Sequence, residues 1–446
     1  MARSNASRRQ FLQTSSAVAA GVAMPYFLTR SLRAQEQKNE KLRFALIACG
    51  GQGVGDAFRC KQAGAEIVAV CDVDKEKVSA ANKRLGNGSL QEFDDYRKVL
   101  EMKDLDFVVV APPDHWHTKI SIEAMKAGLD VYCEKPLTLT IDEGKMICKV
   151  VKETKKVFQV GTQQRSENNN MFLKAVALAQ SGRLGKIQTV ECRIGGGDAG
   201  GPFKKSEPPA NLNWDMWLGQ APKVDYIKER CHYQFRWWYE YSGGKMTDWG
   251  AHHVDIAQWA IGMQDSGPQE ISGTAKHQME FKKGYPTRDD MYNTALEFKV
   301  SCKFANGVEM IISDAHEFRE SKQDNGVMIT GDKGRIFVNR EKLVGKPVEE
   351  LKENPLPEGT LEKLYNGKKP EGFHAKNFLD CIRDRGLPVS DVFTHHRAMT
   401  TCHLANIAIR LGKPIKWNPE TEMIEGDDEA KSFQSREPRK GFEINA

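Results

Sequence analysis

The first half of the chain alternates short apolar runs with longer stretches of helical periodicity. Five runs have the apolar character of buried strands, at 44–48, 67–71, 107–111, 131–133 and 157–161. Helical patterns fall between them, for example at 120–127 and 141–155. Continuous apolar strands separated by helices are typical of a parallel, doubly wound sheet that is buried on both faces. We therefore predict such a sheet over residues 41–161.

The pattern changes after residue 161. A helix is predicted at 171–180, and strand-like segments follow at 187–194, 271–279, 294–304, 308–316, 326–330 and 335–338. Successive strands joined by short glycine turns indicate a mainly antiparallel sheet. Amphipathic helices at 373–383 and 395–411 could pack back on the first domain. We predict a second domain over 162–417 and an extended, charged tail over 418–446 with few apolar residues.

The first 34 residues have the pattern of an export signal. Arg8 and Arg9 are followed by Phe11-Leu12, a weakly apolar run at 17–28 and a candidate small-residue cleavage point at Ala34. This order resembles a twin-arginine signal and predicts an exported, periplasmic protein that uses the twin-arginine machinery. The run is too short for a stable membrane span. A basic arm for nucleic acid is the alternative.

Charge and cysteine content limit the possible partners. The whole chain has a formal charge of +5, and residues 1–34 contain five arginines and no acid, so the remainder is neutral. A neutral remainder gives no indication of a nucleic-acid partner. The ten cysteines form no C-x-x-C pair. We interpret them as mostly buried small apolar residues, since folding before export takes place under reducing conditions.

A glycine-rich turn follows the first predicted strand. It reads Gly50-Gly51-Gln52-Gly53, with Ala48 where the dinucleotide pattern G-x-G-x-x-G begins, and Asp72 ends the second strand. Glycines let the backbone approach a pyrophosphate at a helix N-terminus, and a carboxylate beyond the second strand binds ribose hydroxyls. Because a 2′-phosphate would meet the charge of Asp72, the sequence predicts NAD rather than NADP.

Three further motifs carry a family resemblance. They are Glu134-Lys135-Pro136 after the strand at 131–133, the run 243–253 (GGKMTDWGAHH), and the run 111–117 (APPDHWH). In this order, from about residue 41 to 417, they resemble the glucose–fructose oxidoreductase/inositol dehydrogenase (Gfo/Idh/MocA) family. The resemblance implies an α/β protein: an N-terminal Rossmann dinucleotide-binding domain plus an α/β domain with an open, mainly antiparallel sheet. It also implies hydride transfer between nicotinamide and a sugar or cyclitol carbinol.

The predicted catalytic residues are Lys135, Asp248 and His252, which match the family lysine and its D-x-x-x-H pair. Oxidising a secondary alcohol needs a base, and His is suited to it at neutral pH. On a helix, Asp248 and His252 would share a face, so the carboxylate could orient the imidazole. Lys135 could stabilise charge on the reacting oxygen. The alternatives are an early-turn acid beside a core histidine, or a metal site; we predict no metal.

Other candidate residues surround this group. Predicted cofactor contacts, besides the glycine turn with Gln52 and Asp72, are Pro112, Pro113, His117, Glu134 and Lys135. Predicted substrate contacts are Gln164, Arg165, Arg236, Trp237 and His253, in part because aromatic faces stack on sugars.

The sequence thus predicts an exported, homo-oligomeric oxidoreductase with tightly bound NAD, acting on a small carbohydrate or cyclitol. One alternative is a redox-cycling NAD enzyme that cleaves glycosides by oxidation and elimination. Another is a cofactor-bound sugar-binding protein without catalysis.

Overall fold

The computed structural model describes residues 41–315 and 325–446. The predicted signal at 1–34 and the end of the predicted strand 308–316 lie outside these residues. The helices are α1 Gly51–Gln62, α2 Lys75–Gly86, α3 Tyr96–Leu100, α4 His117–Lys126, α5 Ile141–Thr154, α6 Met171–Gln180, α7 Trp214–Leu218, α8 Lys245–Asp248, α9 Gly250–Ala260, α10 Lys346–Glu349, α11 Thr360–Leu364, α12 His374–Asp384, α13 Val392–Leu411 and α14 Asp428–Lys431.

The first sheet has six parallel strands in the order β3-β2-β1-β4-β5-β6. They are β1 Arg43–Ile47, β2 Glu66–Cys71, β3 Gln91–Phe93, β4 Phe107–Val110, β5 Asp130–Cys133 and β6 Phe158–Val160. Every residue of β4 is fully buried, as expected where helices cover both faces. The edge strand β3 was not predicted, because its Gln and Glu leave no apolar run to detect.

Within the described residues the second sheet has nine strands in the order β15-β14-β13-β7-β12-β11-β8-β16-β17, and only the β7–β12 pair is parallel. Its strands are β7 Ile187–Arg193, β8 Pro268–Lys276, β11 Glu297–Phe304, β12 Glu309–Ser313, β13 Gly326–Gly331, β14 Arg335–Val338, β15 Leu343–Val344, β16 Ile415–Asn418 and β17 Met423–Glu425; β9 Phe281–Lys282 and β10 Tyr285–Pro286 form a separate hairpin. The predicted fold class, a parallel nucleotide-binding sheet beside a mainly antiparallel one, is confirmed.

The late helices lie against the first domain. Helix α13, buried along most of its length, contacts α5 and β6 of the first domain and β8 of the second. Phe378 of α12 joins the core of the first sheet, with its ring centroid 5.2 Å from that of Phe107. The two domains therefore share core surface, which fixes the position of one against the other.

The tail differs from the extended segment that was predicted. β17 pairs with β16, α14 follows, and the last residues run over α4, where Lys119 Nζ donates to the Glu443 carbonyl at 2.7 Å. The ring of Phe442 packs edge-on against Trp116, 5.9 Å between centroids. A few aromatic and charged contacts are enough to order this segment, so its low apolar content was a poor guide.

All ten cysteines lie among the described residues; all are free, and nine are buried. None of the helices in the described ranges combines the length and apolar character needed to cross a bilayer.

Candidate active site

A cavity of about 850 Å³ lies at the carboxyl ends of β1, β2, β4 and β5, where parallel sheets bind ligands. Its far walls come from the second domain, so both domains contribute to it. The predicted residues that line it are Gly50, Gly51, Gln52, Gly53, Asp72, Pro112, Pro113, His117, Glu134, Lys135, Gln164, Arg236, Asp248 and His252. Three predicted substrate residues do not line the cavity: Arg165, Trp237 and His253.

The glycine turn joins β1 to the N-terminus of α1. A Cβ on Gly53 would lie 2.4 Å from the Ala48 carbonyl oxygen, so this position requires glycine, whereas Gly50 and Gly51 face open space. Ala48 adopts a left-handed φ of 75°, the conformation that glycine prefers, so the turn keeps its shape at some backbone cost. With no acid in the first turn of α1, its free backbone N–H groups suit a pyrophosphate.

Asp72 ends β2 at the edge of the cavity. Its Oδ2 accepts the Cys49 N–H at 2.7 Å and its Oδ1 accepts the Asp74 N–H at 2.9 Å. Burial raises the pKa of Asp72 to about 6, although these two hydrogen bonds oppose the rise. Pinned in this way, the carboxylate is placed to meet the ribose hydroxyls of a dinucleotide.

A segment of the second domain covers the nucleotide side of the cavity. Asn211 and Asn213 hydrogen-bond the backbone of the loop after β2, and Asn211 Nδ2 donates to Asp74 Oδ1 at 2.7 Å. Leu212 and Trp217 of the same segment line the cavity. This cover was not predicted, because it depends on contacts between segments about 140 residues apart.

His117 joins the loops that follow β4 and β5. Its Nδ1 lies 2.6 Å from the carbonyl oxygen of Pro136 and its Nε2 lies 2.8 Å from that of Pro112. Burial lowers the pKa of His117 to about 4. Although its side chain reaches the cavity wall, both ring nitrogens face backbone, so it positions the loops that carry Pro112 and Lys135.

Glu134 lies beneath the glycine turn in a buried polar group. Its Oε1 accepts from Gln163 Nε2 at 2.7 Å and from Gln52 Nε2 at 3.3 Å. Burial raises the pKa of Glu134, and burial together with Glu134 raises that of Asp56. The two buried carboxyls link α1 to the Glu134-Lys135-Pro136 segment; Asp56 was not predicted.

Asp248 is held between two cations. Lys135 Nζ lies 2.6 Å from its Oδ1 and 3.2 Å from its carbonyl oxygen, and Arg236 Nη1 lies 2.7 Å from its Oδ2. Burial alone would raise the pKa of this carboxyl, but Lys135 and Arg236 hold it well below its usual range. A carboxylate fixed in this way orients Lys135 and is a poor proton acceptor.

His252 lines the cavity near this cluster. The sequence predicted that the Asp248 carboxylate would orient its imidazole, but the two side chains are not hydrogen-bonded. Trp249 separates α8 from α9, and the Asp248 carboxylate is already occupied by Lys135 and Arg236. His252 Nδ1 is buried without a partner among the described residues. Burial, followed by Lys135 and Arg340, holds the pKa of His252 well below its usual range, so the imidazole is neutral.

Arg165 is a correction to the predicted substrate contacts. Its side chain is 3% exposed and pairs with the buried Asp255, Nε to Oδ2 at 2.7 Å and Nη2 to Oδ1 at 2.6 Å. It also stacks on Trp259 and donates to the Val389 carbonyl. With a further hydrogen bond to Thr394 Oγ1 at 3.1 Å, this guanidinium ties the end of the first sheet to α9 and α13, away from the cavity.

Trp237 and His253 are also structural. Trp237 belongs to an aromatic cluster with Trp238 and Tyr292, and its indole N–H donates to Gln234 Oε1 at 3.0 Å. His253 is fully buried and lies behind the cavity-lining Gln164, whose Nε2 is 3.3 Å from His253 Nδ1. Next to His252 on one helix, His253 faces away, as the rotation of about 100° per residue requires.

Asp114 and Arg340 are among the cavity residues that were not predicted. Asp114, three residues before His117, is buried and accepts from Ser242 Oγ at 2.5 Å; burial raises its pKa to about 7. Its place in the run 111–117 was the available signal. Arg340 reaches the cavity from the loop after β14, and no motif of the sequence marked it.

These features define a class: a dinucleotide-dependent oxidoreductase with a polar reaction site. The glycine turn, the free N-terminus of α1 and Asp72 fit NAD. No group of three or more His, Cys, Asp or Glu suited to a metal occurs within 41–315 and 325–446. The chain belongs to the Gfo/Idh/MocA family: residues 42–162 match its "NAD-binding Rossmann fold" and residues 201–444 match its "C-terminal alpha/beta domain".

Comparison with known proteins agrees with this assignment. The chain is 24% identical to inositol 2-dehydrogenase of Rhizobium meliloti (strain 1021), over 68% of this chain and 77% of that protein. It is 28% identical to a glycosyl hydrolase family 109 protein of Shewanella sp. (strain W3-18-1), over 39% and 40%. The WlbA dehydrogenase of Bordetella pertussis, solved with NADH and UDP-GlcNAcA, has the same fold (TM-score 0.60, 20% identity, 85% of this chain and 99% of that one). The protein is an NAD-dependent oxidoreductase.

Proposed function

We propose that this protein oxidises a secondary alcohol of a sugar, sugar derivative or cyclitol and passes the hydride to NAD. The observation that carries the proposal is the 2.6 Å contact between Lys135 and Asp248, which joins two motifs 113 residues apart in one cavity with the glycine turn. The names of the relatives support the carbohydrate or cyclitol class.

In the proposed reaction His252 is the base. Its Nδ1 is buried, so the nitrogen available to the substrate is Nε2, and a neutral imidazole can accept the hydroxyl proton there. Two donors of Lys135 are engaged by Asp248, which leaves the third for the reacting oxygen. Bound NAD supplies the hydride acceptor. Asp248 and Arg236 hold Lys135 in position.

A panel of sugars and cyclitols, assayed for NADH with the purified chain, tests this proposal. Mass spectrometry of ligands released from the protein would first show whether NAD is retained, as the cover over the nucleotide side favours. His252→Gln and Lys135→Met should abolish most turnover while NAD stays bound. Full activity in both variants would contradict the assigned roles.

A redox-cycling glycosidase is the second candidate, favoured by the similarity to glycosyl hydrolase family 109 proteins. Such an enzyme would oxidise, eliminate and reduce again without releasing NADH. Cleavage of a nitrophenyl glycoside with no accumulation of NADH would favour it over a net dehydrogenase. A sugar-binding protein without catalysis would show neither product.

Export and assembly belong to the same proposal. Replacing both Arg8 and Arg9 by Lys should keep the protein in the cytoplasm in unprocessed form if the N-terminal segment is a twin-arginine signal. Normal export of that variant would argue against it. We expect a homo-oligomer, which light scattering of the mature chain measures directly.

A further inference from the structure

Arg340 is the one cavity-lining arginine without an ion pair among the described residues. Arg59 pairs with Asp56 at 3.0 Å and Arg236 pairs with Asp248 at 2.7 Å, whereas Arg340 contacts no described carboxylate. Its guanidinium instead lies 4.7 Å from the ring centroid of Trp249, a second cavity residue. A guanidinium placed in a binding cavity without an anion is a candidate for binding one.

The surroundings of Arg340 hold it in place. The side-chain oxygen of Asn339 accepts the backbone N–H groups of residues 341 and 342, both at 2.9 Å, which fixes the loop. Gln164 Oε1 accepts long hydrogen bonds from Arg340 Nε and Nη2 at 3.4 and 3.3 Å. Gln164 is itself held by His253, whose Nε2 lies 3.0 Å from the Asn325 side-chain oxygen. Gln164 therefore holds the Nε–Nη2 edge of the guanidinium, whereas its Nη1 makes no hydrogen bond to a described residue.

The carboxylates around the reaction site are already engaged by groups other than Arg340. Lys135 and Arg236 share the carboxylate of Asp248, and Lys245 lies nearby, over Trp237 and Trp249. The other acids of the cavity are engaged as well: Asp114 by the hydroxyl of Ser242, Glu134 by Gln163 and Gln52, Asp72 by two backbone N–H groups, and Glu167, more distantly, by Arg59 at 3.9 Å. Arg340 is thus a cavity arginine that no described carboxylate contacts, and the hydroxyl groups of a neutral sugar would not compensate its charge.

We propose that the substrate is an acidic sugar, such as a hexuronate, whose carboxylate is bound by Arg340 while its reacting carbinol lies between Lys135 and His252. This inference rests on the proposed function. A planar carboxylate matches the fork of a single guanidinium. A phosphate dianion would call for more free donors than Arg340 alone presents. Arg340 is then a specificity residue, and the hydride and proton still leave the carbinol as described above.

Matched substrate pairs test the proposal on the NAD-loaded mature chain. The pairs are D-glucuronate with D-glucose and D-galacturonate with D-galactose, together with the neutral methyl ester of each acid. Initial rates of NADH formation give kcat/KM, and quenching of bound NADH fluorescence gives sugar binding. We expect each acid to have a higher kcat/KM than its neutral partners. Arg340→Gln should reduce the ratio of kcat/KM for the acid to kcat/KM for the neutral sugar by about 10- to 100-fold.

Arg335→Gln is the matched control, since Arg335 is an exposed arginine on β14, five residues before Arg340 and outside the cavity. It should leave the ratio unchanged. Equal or better use of the neutral sugars by the unmutated protein, no binding of either acid to the NADH-loaded protein, or equal ratios in the two variants would each overturn the inference. Oxidation of neutral sugars alone would overturn the acidic-sugar inference and leave the proposed function standing. If the protein retains NAD but neither binds nor oxidises any sugar, that result would count against both the inference and the proposed function.

Discussion

Replacing Lys135 by Met removes one donor from the reaction site with little change in side-chain volume. Asp248 occupies two donors of Lys135, at 2.6 and 3.2 Å, so the third is the one that reaches a substrate oxygen. Removing a donor aimed at a developing oxyanion typically lowers kcat by about 10²–10³. We expect a loss of this size in turnover and a much smaller change in NAD affinity.

Stability should fall as well, but modestly. The Lys135 and Asp248 side chains are 15% and 10% exposed, so their ion pair is poorly screened. Asp248 would keep Arg236 as a partner, so its charge is not left isolated. We expect a loss of about 1.5–3 kcal/mol, the usual range for a hydrogen bond to a charged group.

The assay combines stopped-flow NADH formation, NAD binding by fluorescence and urea unfolding, with Lys145→Met as a control. Lys145 also forms an ion pair, with Asp142 at 2.8 Å, but lies away from the cavity. The control should lose some stability and no turnover. The reasoning fails if Lys135→Met keeps turnover within about threefold of the unmutated protein, or if NAD binding falls in step with turnover.

Three further predictions follow from single residues. Asp72→Ser should narrow the preference for NAD over NADP, measured as two dissociation constants; tighter NADP binding by the unmutated chain would contradict the role of Asp72. Asp114 has a folded pKa of about 7 against an ordinary 3.8, so the folded state binds the extra proton and stability falls as pH rises from about 4 to 7. Asp114→Asn removes this titration, so between pH 5 and pH 8 the variant should lose less free energy of unfolding than the unmutated protein. The same pH dependence in both proteins would exclude the raised pKa of Asp114. Arg165→Met should destabilise by about 3–5 kcal/mol in urea, because the buried Asp255 would lose its arginine partner and keep, among the described residues, only His395 Nδ1 at 3.4 Å, and a loss below about 1 kcal/mol would show that the pair is replaceable.

Much of the nucleotide side could be read from the sequence. Apolar runs and helical periodicity depend on local burial, and they placed every strand of the first sheet except β3, where Gln91 and Glu92 interrupt the pattern. The glycine turn and Asp72 were recognisable because the backbone there must approach a phosphate and a ribose. Even the departure at Ala48 was visible, although only the structure shows that it adopts a positive φ.

The substrate side was predictable only in part. Gln164 and Arg165 are neighbours in one short turn, yet Gln164 lines the cavity and Arg165 pairs with Asp255 behind it. The spacing of Asp248 and His252 suggested that one orients the other, but Lys135 and Arg236 take the carboxylate instead. Motifs identify which residue types are present, and they do not determine which way a side chain leaves a turn.

The sequence by itself determined most of the order of helices and strands, the cofactor turn and the residue types at the reaction site, since each depends on neighbours a few positions away. The tertiary structure decided which charges meet: Lys135 with Asp248, Arg165 with Asp255, and Arg340 with no described acid. Partners such as these are 90 to 113 residues apart. Their distances depend on how two domains close over one cavity, and burial there makes each pairing strong enough to set the charge that a substrate encounters.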